Sequence, residues 1–133
     1  MLEIVIPGVE KFDNYREEFI YTSPATLHLE HSLISISKWE SKWNKPFLAS
    51  TDKTVDEAID YIRCMTINKN IKDEIYENVT NANVVDVTKY IEASMTATTF
   101  NETHSHKINR EVVTSELIYY WMIALSIPME CQR

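Results

Sequence analysis

The stretch Val112-Val113-Thr114-Ser115-Glu116-Leu117-Ile118-Tyr119-Tyr120-Trp121-Met122-Ile123-Ala124-Leu125 is the densest apolar and aromatic run of the chain, and how it is covered decides the fold. Thr114 and Ser115 can accept hydrogen bonds from the free N–H groups of a first helical turn, and Glu116 suits the partial positive charge there. A helix begins here. Leu117, Ile118, Trp121 and Leu125 share one helical face, while Tyr120, Ile123 and Ala124 carry apolar character beyond that stripe. The helix is therefore either the centre of the core, with the other helices around it, or covered on its second side by another chain; the core is the first expectation. Ser126-Ile127-Pro128 ends it, because the residue before a proline avoids the α conformation. A membrane span needs roughly 20 apolar residues, and this run is shorter.

Outward from that helix, the 133 residues suit one domain, 1–133, and 44% apolar residues can bury a real core. Thirteen basic against 20 acidic residues give a net charge of −7, which argues against nucleic acid and anionic lipid as partners. Gly8 is the only glycine. Phosphate-cradling loops and dinucleotide fingerprints need several, so nucleotide binding of those kinds is excluded and no cofactor is implied. Met1 to Pro7 is apolar but has no basic start and is too short for a signal peptide, so a cytoplasmic protein is expected. Cys64 and Cys131 have no CxxC spacing and read as free thiols, Cys64 buried. Asn78-Val79-Thr80 and Asn101-Glu102-Thr103 match a glycosylation sequon that carries little meaning without secretion.

Residues 1–30 read as β-rich. Leu2 to Ile6 is a first strand ended by a Pro7-Gly8 turn, Glu10 to Glu18 a charged loop, Phe19 to Thr22 a second strand, and Ala25 to Glu30 a third with Leu27 and Leu29 on one face. Residues 31–127 read as helical. Ser32 caps a helix to about Trp43, although the alternation of Ile34 and Ile36 with serines would also let the third strand run on. Thr54-Val55-Asp56-Glu57 is a capping box, followed by Ala58, Ile59, Ile62 and Met65 at helical spacing. Ile71 to Val79 predicts a short helix, Asn83 to Ala93 another with Val84, Val87 and Ile91 inward, and Asn81 and Asn83 serve as breakers or caps. Met95 to Phe100 is an extended connector or short strand and Asn101 to Asn109 a polar loop. Residues 128–133 look like the first turn of a truncated helix, with proline at a permitted early position. The fold class is thus α+β: a small N-terminal antiparallel hairpin or three-stranded sheet, then a mostly helical bundle of four to five helices.

Chemistry-bearing patterns are sparse. His104 and His106 are a close pair, but at i and i+2 of an extended segment they diverge, and a metal would need Glu102, His28 or His31 brought in by the fold. No metal or catalytic residue is assigned. The serines lack a nucleophile elbow, and the carboxylates Asp56, Glu57 and Asp60 are explained by helix capping. An enzyme would require two or more of His28, His31, His104, His106 and Cys64 in one polar pocket. Aromatic side chains are the stronger lead, since they anchor interfaces as well as cores. Tyr119-Tyr120-Trp121 cannot all lie on one helix face. Trp39, Trp43, Phe47, Tyr119, Tyr120 and Met122 are the candidate partner-binding residues, with Met65, Met95 and Met129 as further adaptable apolar groups.

The blocks His31-Ser32-Leu33-Ile34-Ser35-Ile36-Ser37-Lys38-Trp39-Glu40-Ser41-Lys42-Trp43-Asn44-Lys45-Pro46-Phe47-Leu48, Asp60 to Thr66, Met95 to Phe100 and Glu116 to Leu125 together resemble the siphophage tail assembly chaperones. The resemblance touches most of the chain after residue 30. It implies a non-enzymatic, mostly helical protein of the host cytoplasm that coats the hydrophobic tape measure protein and helps recruit tail tube protein. A homo-oligomer is compatible with it. The N-terminal strands depart from an all-helical expectation and keep open a structural virion protein, such as a head-to-tail connector or minor tail component.

Overall fold

The computed structural model describes residues 1–93 and 112–133. Four strands open the chain, β1 (Leu2–Ile6), β2 (Val9–Asp13), β3 (Glu18–Thr22) and β4 (Ala25–Leu29), with β1 antiparallel to β4 and β2 antiparallel to β3. Leu2 faces Leu29 and Val9 faces Thr22, so both ladders keep one register and form a single long hairpin interrupted where Pro7-Gly8 runs opposite Ser23-Pro24. Neither proline has an N–H to give to a ladder, which accounts for the break. Gly8 fits the gap because a Cβ there would lie 2.5 Å from the Thr22 carbonyl oxygen.

The α+β architecture expected from the sequence is present, with one strand more than the reading gave. Residues 10–18 are not a loop: β2 occupies Val9–Asp13, and only residues 14–17 reverse the chain, with Glu17 in the left-handed region at φ 53°. Pro7-Gly8 interrupts the ribbon and does not reverse it. A strand wetted on both faces has no need of apolar alternation, and this one has little.

The inner half of the hairpin carries the core face. Ile4, Ile6, Leu27 and Leu29 are buried, β1 lying against the helix of residues 81–92 and β4 against α2 (Val55–Met65), which in turn packs on α1 (Leu33–Trp43). Ser32 caps α1 and Thr54 caps α2, each in a reciprocal box closed by Ser35 and Glu57 respectively. The two helices are tied by their tryptophans. Trp39 Nε1 donates to the Glu57 carbonyl at 2.9 Å and Trp43 Nε1 to Asp60 Oδ2 at 3.0 Å, while Lys42 and Lys45 pair with Asp60 and Glu57. Behind them Trp39, Phe47 and Tyr61 pack in sequence, Phe47 edge-to-face with Trp39 and tilted on Tyr61, with ring centroids 5.2 and 4.1 Å apart. The chain leaving α2 then covers β4, Ile67 N–H donating to the His28 carbonyl at 2.9 Å and Asn68 holding His28 N–H and the Thr26 carbonyl.

The predicted helix over 71–79 shrinks to a single turn, α3 (Asp73–Tyr76), although Ile71, Ile75 and Val79 do pack on the core. α4 (Asn81–Glu92) is capped by Thr80 with Asn83 closing the box, and Val84, Val87 and Ile91 face inward as the spacing required. Residues 95–109, including the expected connector and loop and the pair His104 and His106, lie outside the described residues. α5 (Ser115–Ala124) begins on the cap that the sequence specifies, Thr114 Oγ1 accepting from Leu117 N–H. Its end is more built than proline alone requires. Ser126 turns left-handed, Ser126 N–H reaches the Ile123 carbonyl and Ile127 N–H the Met122 carbonyl, the paired bonds of a Schellman stop. Residues 129–132 form a 3-10 turn, not the α-helical start expected after Pro128.

The position of α5 corrects the central expectation. The bundle is not gathered around it; the core sits between the inner hairpin, α1, α2 and α4. α5 lies at the edge against α1 and buries only Ser115 and Met122, with Leu117, Ile118 and Tyr119 half covered.

Candidate interaction surface

The surface α5 leaves open is apolar. Tyr120, Trp121, Ile123, Leu125, Ile127 and Met129 are all exposed, Ile123 and Leu125 at 69% and 71%, and it is their adjacency that sets them apart from single apolar residues on a surface. They follow one another along the outer side of the helix and through its Schellman stop. Only Glu116 and Glu130 bring charge near them before Arg133. A helix that is apolar all round and covered on one side only carries an unpartnered face.

The inner side is fixed by a carboxylate. Glu40 of α1 accepts from Ser115 N–H at 2.8 Å and from the Ser115 hydroxyl through Oε2, and from Phe47 N–H at 2.8 Å through Oε1. One side chain thus holds both the first turn of α5 and the loop that delivers Phe47 to the core. A polar groove of about 300 Å³ runs beside it, lined by Ser37, Ser41, Lys45 and Glu116 among others. Glu40→Gln places an amide NH2 where N–H donors already point, and a hydrogen bond to a charged acceptor is worth about 1.5–3 kcal/mol. Urea unfolding of that variant should show a loss of this size, with the α5 amides exchanging hydrogen first.

The six candidate residues separate into three groups. Trp39 and Phe47 are in the core and Met122 is buried under α5, so none of the three presents surface to a partner. Their spacing matched an interface as well as a core, and the long-range contacts that decide between them leave no local signal. Trp43 is half-buried with its indole N–H spent on Asp60, and Tyr119 is half-buried with its hydroxyl on Gln132 Oε1 at 3.0 Å. Tyr120 alone of the six stands fully out. Trp121, Ile123, Leu125 and Ile127 were not in that set, and the one signal for them was apolar character spilling past a single stripe.

Among the described residues the titratable groups do not converge on one site. His28 lies 3.1 Å from the Glu3 carboxylate on the ribbon, whereas His31 turns inward, its Nδ1 2.6 Å from the Tyr61 hydroxyl. Tyr61 in turn meets Ser35 Oγ at 3.1 Å, and Ser35 donates to the Ser32 carbonyl. Each proton can be used once, from His31 Nδ1–H to Tyr61, to Ser35, to that carbonyl. Burial raises the Tyr61 phenol, and burial followed by the Asp60 charge raises the Cys64 thiol, which leaves it protonated and unreactive at neutral pH. Among the described residues no three His, Cys, Asp or Glu side chains are grouped to hold a metal ion.

No family model, curated protein or solved structure matches the chain. Among the described residues no helix is long and apolar enough to cross a membrane.

His31 also supplies a pH dependence. Burial lowers its pKa from the ordinary 6.5, so on acidification the unfolded chain takes up a proton that the folded protein refuses. Stability should therefore fall as the pH drops through about 6.5, and denaturation midpoints of His31→Gln should fall less over the same interval.

Proposed function

We propose that the protein acts by binding, as a siphophage tail assembly chaperone that shields hydrophobic helical segments of the tape measure protein and assists tail tube assembly in the host cytoplasm. The observation that carries this reading is the apolar outer side of α5, from Tyr120 to Met129, on a helix anchored from behind by Glu40 and Met122. A client helix laid along it would bury its own apolar stripe, the helix-in-groove mode of recognition. The exposed indole and Met129 can adapt to irregular client side chains, and a net charge of −7 keeps the loaded complex in solution. The blocks resembling tail assembly chaperones add the identity of the client.

The projecting half of the hairpin favours a second reading, a structural virion component such as a head-to-tail connector or minor tail protein that uses an arm to lock to its neighbour. Co-expression with the tape measure product and analysis of purified virions separate the two. A chaperone co-purifies with that product and is missing from particles; a connector stays in them. Presence in stoichiometric amounts in the mature particle would overturn the first reading.

A further inference from the structure

Beyond the inner hairpin the ribbon meets the body through the Lys11–Glu77 ion pair at 3.1 Å, and β2 and β3 are otherwise largely exposed on both faces. Their side chains are nevertheless not those of a solvated arm. Phe12 faces Phe19 with ring centroids 5.0 Å apart, Tyr21 follows on the same side, Ile20 stands on the other at 42% exposure, and Tyr15 crowns the reversal. A two-stranded ribbon also has two free edges, and among the described residues no backbone group of β3 bonds to anything but β2.

The two edges differ in charge. Antiparallel pairing of β2 with its own copy about its middle residue would set Lys11 directly against Lys11 and compete with the Lys11–Glu77 ion pair, which disfavours it. β3 carries no such guard. Paired about Ile20, all five residues find partners: Ile20 meets Ile20, Phe19 meets Tyr21 in both directions, and Glu18 meets Thr22. No charge opposes a charge. Neighbouring registers that keep the same backbone edge outward shift by a whole residue at the centre and leave strand residues unpaired.

We propose that the arm is a dimerisation element, in which β3 pairs antiparallel with β3 of a second copy about Ile20 to make a four-stranded sheet. One face of that sheet carries two rows running Phe12, Phe19, Tyr21, each with both phenylalanines from one copy and the tyrosine from the other, and the opposite face carries the Ile20 pair flanked by both Lys11 side chains. Cross-strand aromatic and β-branched pairs of this kind are the unit of sheet stability. The dimer is independent of client binding: its residues are all in the arm and none is on α5, so either property survives loss of the other.

Sedimentation equilibrium of the full chain tests it. The wild-type protein should sediment as a dimer and Ile20→Lys, which restores a lysine opposition at the centre, as a monomer with unchanged circular dichroism and cooperative unfolding. In a Cys131→Ser background, Ile20→Cys should oxidise to a covalent dimer while Lys11→Cys, on the guarded edge, does not. A monomeric wild-type protein, a dimer that persists in Ile20→Lys, or equal cross-linking from Lys11→Cys would each overturn the proposal. If Ile20→Lys fails to fold, the cysteine pair decides.

Discussion

Trp39→Ala should remove about 3–5 kcal/mol of stability, a large share of the roughly 5–15 kcal/mol that holds a domain together. The indole is wholly buried, stacked between Trp43 and Phe47, and it lies where α1 crosses α2. Truncation empties the largest side-chain volume in the core. It also removes the 2.9 Å bond from the Trp39 N–H to the Glu57 carbonyl, which ties α1 to α2 and leaves that carbonyl its helical partner alone. The aliphatic part of Lys53, whose ammonium stands 4.2 Å over the Phe47 ring and 5.9 Å from Trp39, would lose one wall of its cleft as well. Urea titration should shift the midpoint with little change in slope. Trp39→Phe, which keeps much of the ring volume but no N–H, should lose less. Equal stability of Trp39→Ala and wild type would mean that the α1–α2 contact is not where the core is held.

Where the chemistry is local, the sequence could be read directly. Thr54 and Glu57 specify a capping box within four residues, and the helix they start is there; Ser32 resolves the choice between strand and helix at Leu33 in the same way, with Ser35 closing its box. Leu27 and Leu29 are legible as one strand face because their other face is wet. What fails is anything that depends on a partner far along the chain. β2 has water on both faces, so the alternation that marks a strand is absent and its charges suggest a loop. Ile71 and Val79 satisfy a helical spacing while the backbone between them holds one turn, because packing on the core fixes their side chains without fixing the path. The carboxylate that seats α5 belongs to Glu40, 75 residues before Ser115, and nothing around either residue announces the other. The largest error concerns α5 itself. Apolar density measures how much a helix gains by being covered, not which molecule covers it, so a core helix and a partner-binding helix have the same composition.

That ambiguity is what the second prediction exploits. Ile123→Asp combined with Leu125→Asp should leave the fold intact and weaken capture of an apolar tape measure segment about a thousandfold. Both side chains are mostly exposed, so no core contact is lost; Leu125 is the C-cap of α5, where an aspartate meets the helix dipole unfavourably, and the stability cost should stay at about 1 kcal/mol. In a client complex the same positions sit under the partner as hot-spot contacts, each worth about 2 kcal/mol on truncation, so two of them amount to ~4 kcal/mol, or three decades in Kd. An aspartate adds an unpaired charge to be desolvated, which pushes the loss in the same direction. Met122→Ala, buried on the reverse of the same helix, should behave oppositely, lowering stability by about 2 kcal/mol or more while the outer face keeps its side chains. Fluorescence anisotropy of a labelled client peptide measures affinity, and urea unfolding of the same samples measures stability. If the double aspartate variant unfolds early and binds normally, α5 is a core helix after all. The reverse pattern identifies it as the surface through which the protein works.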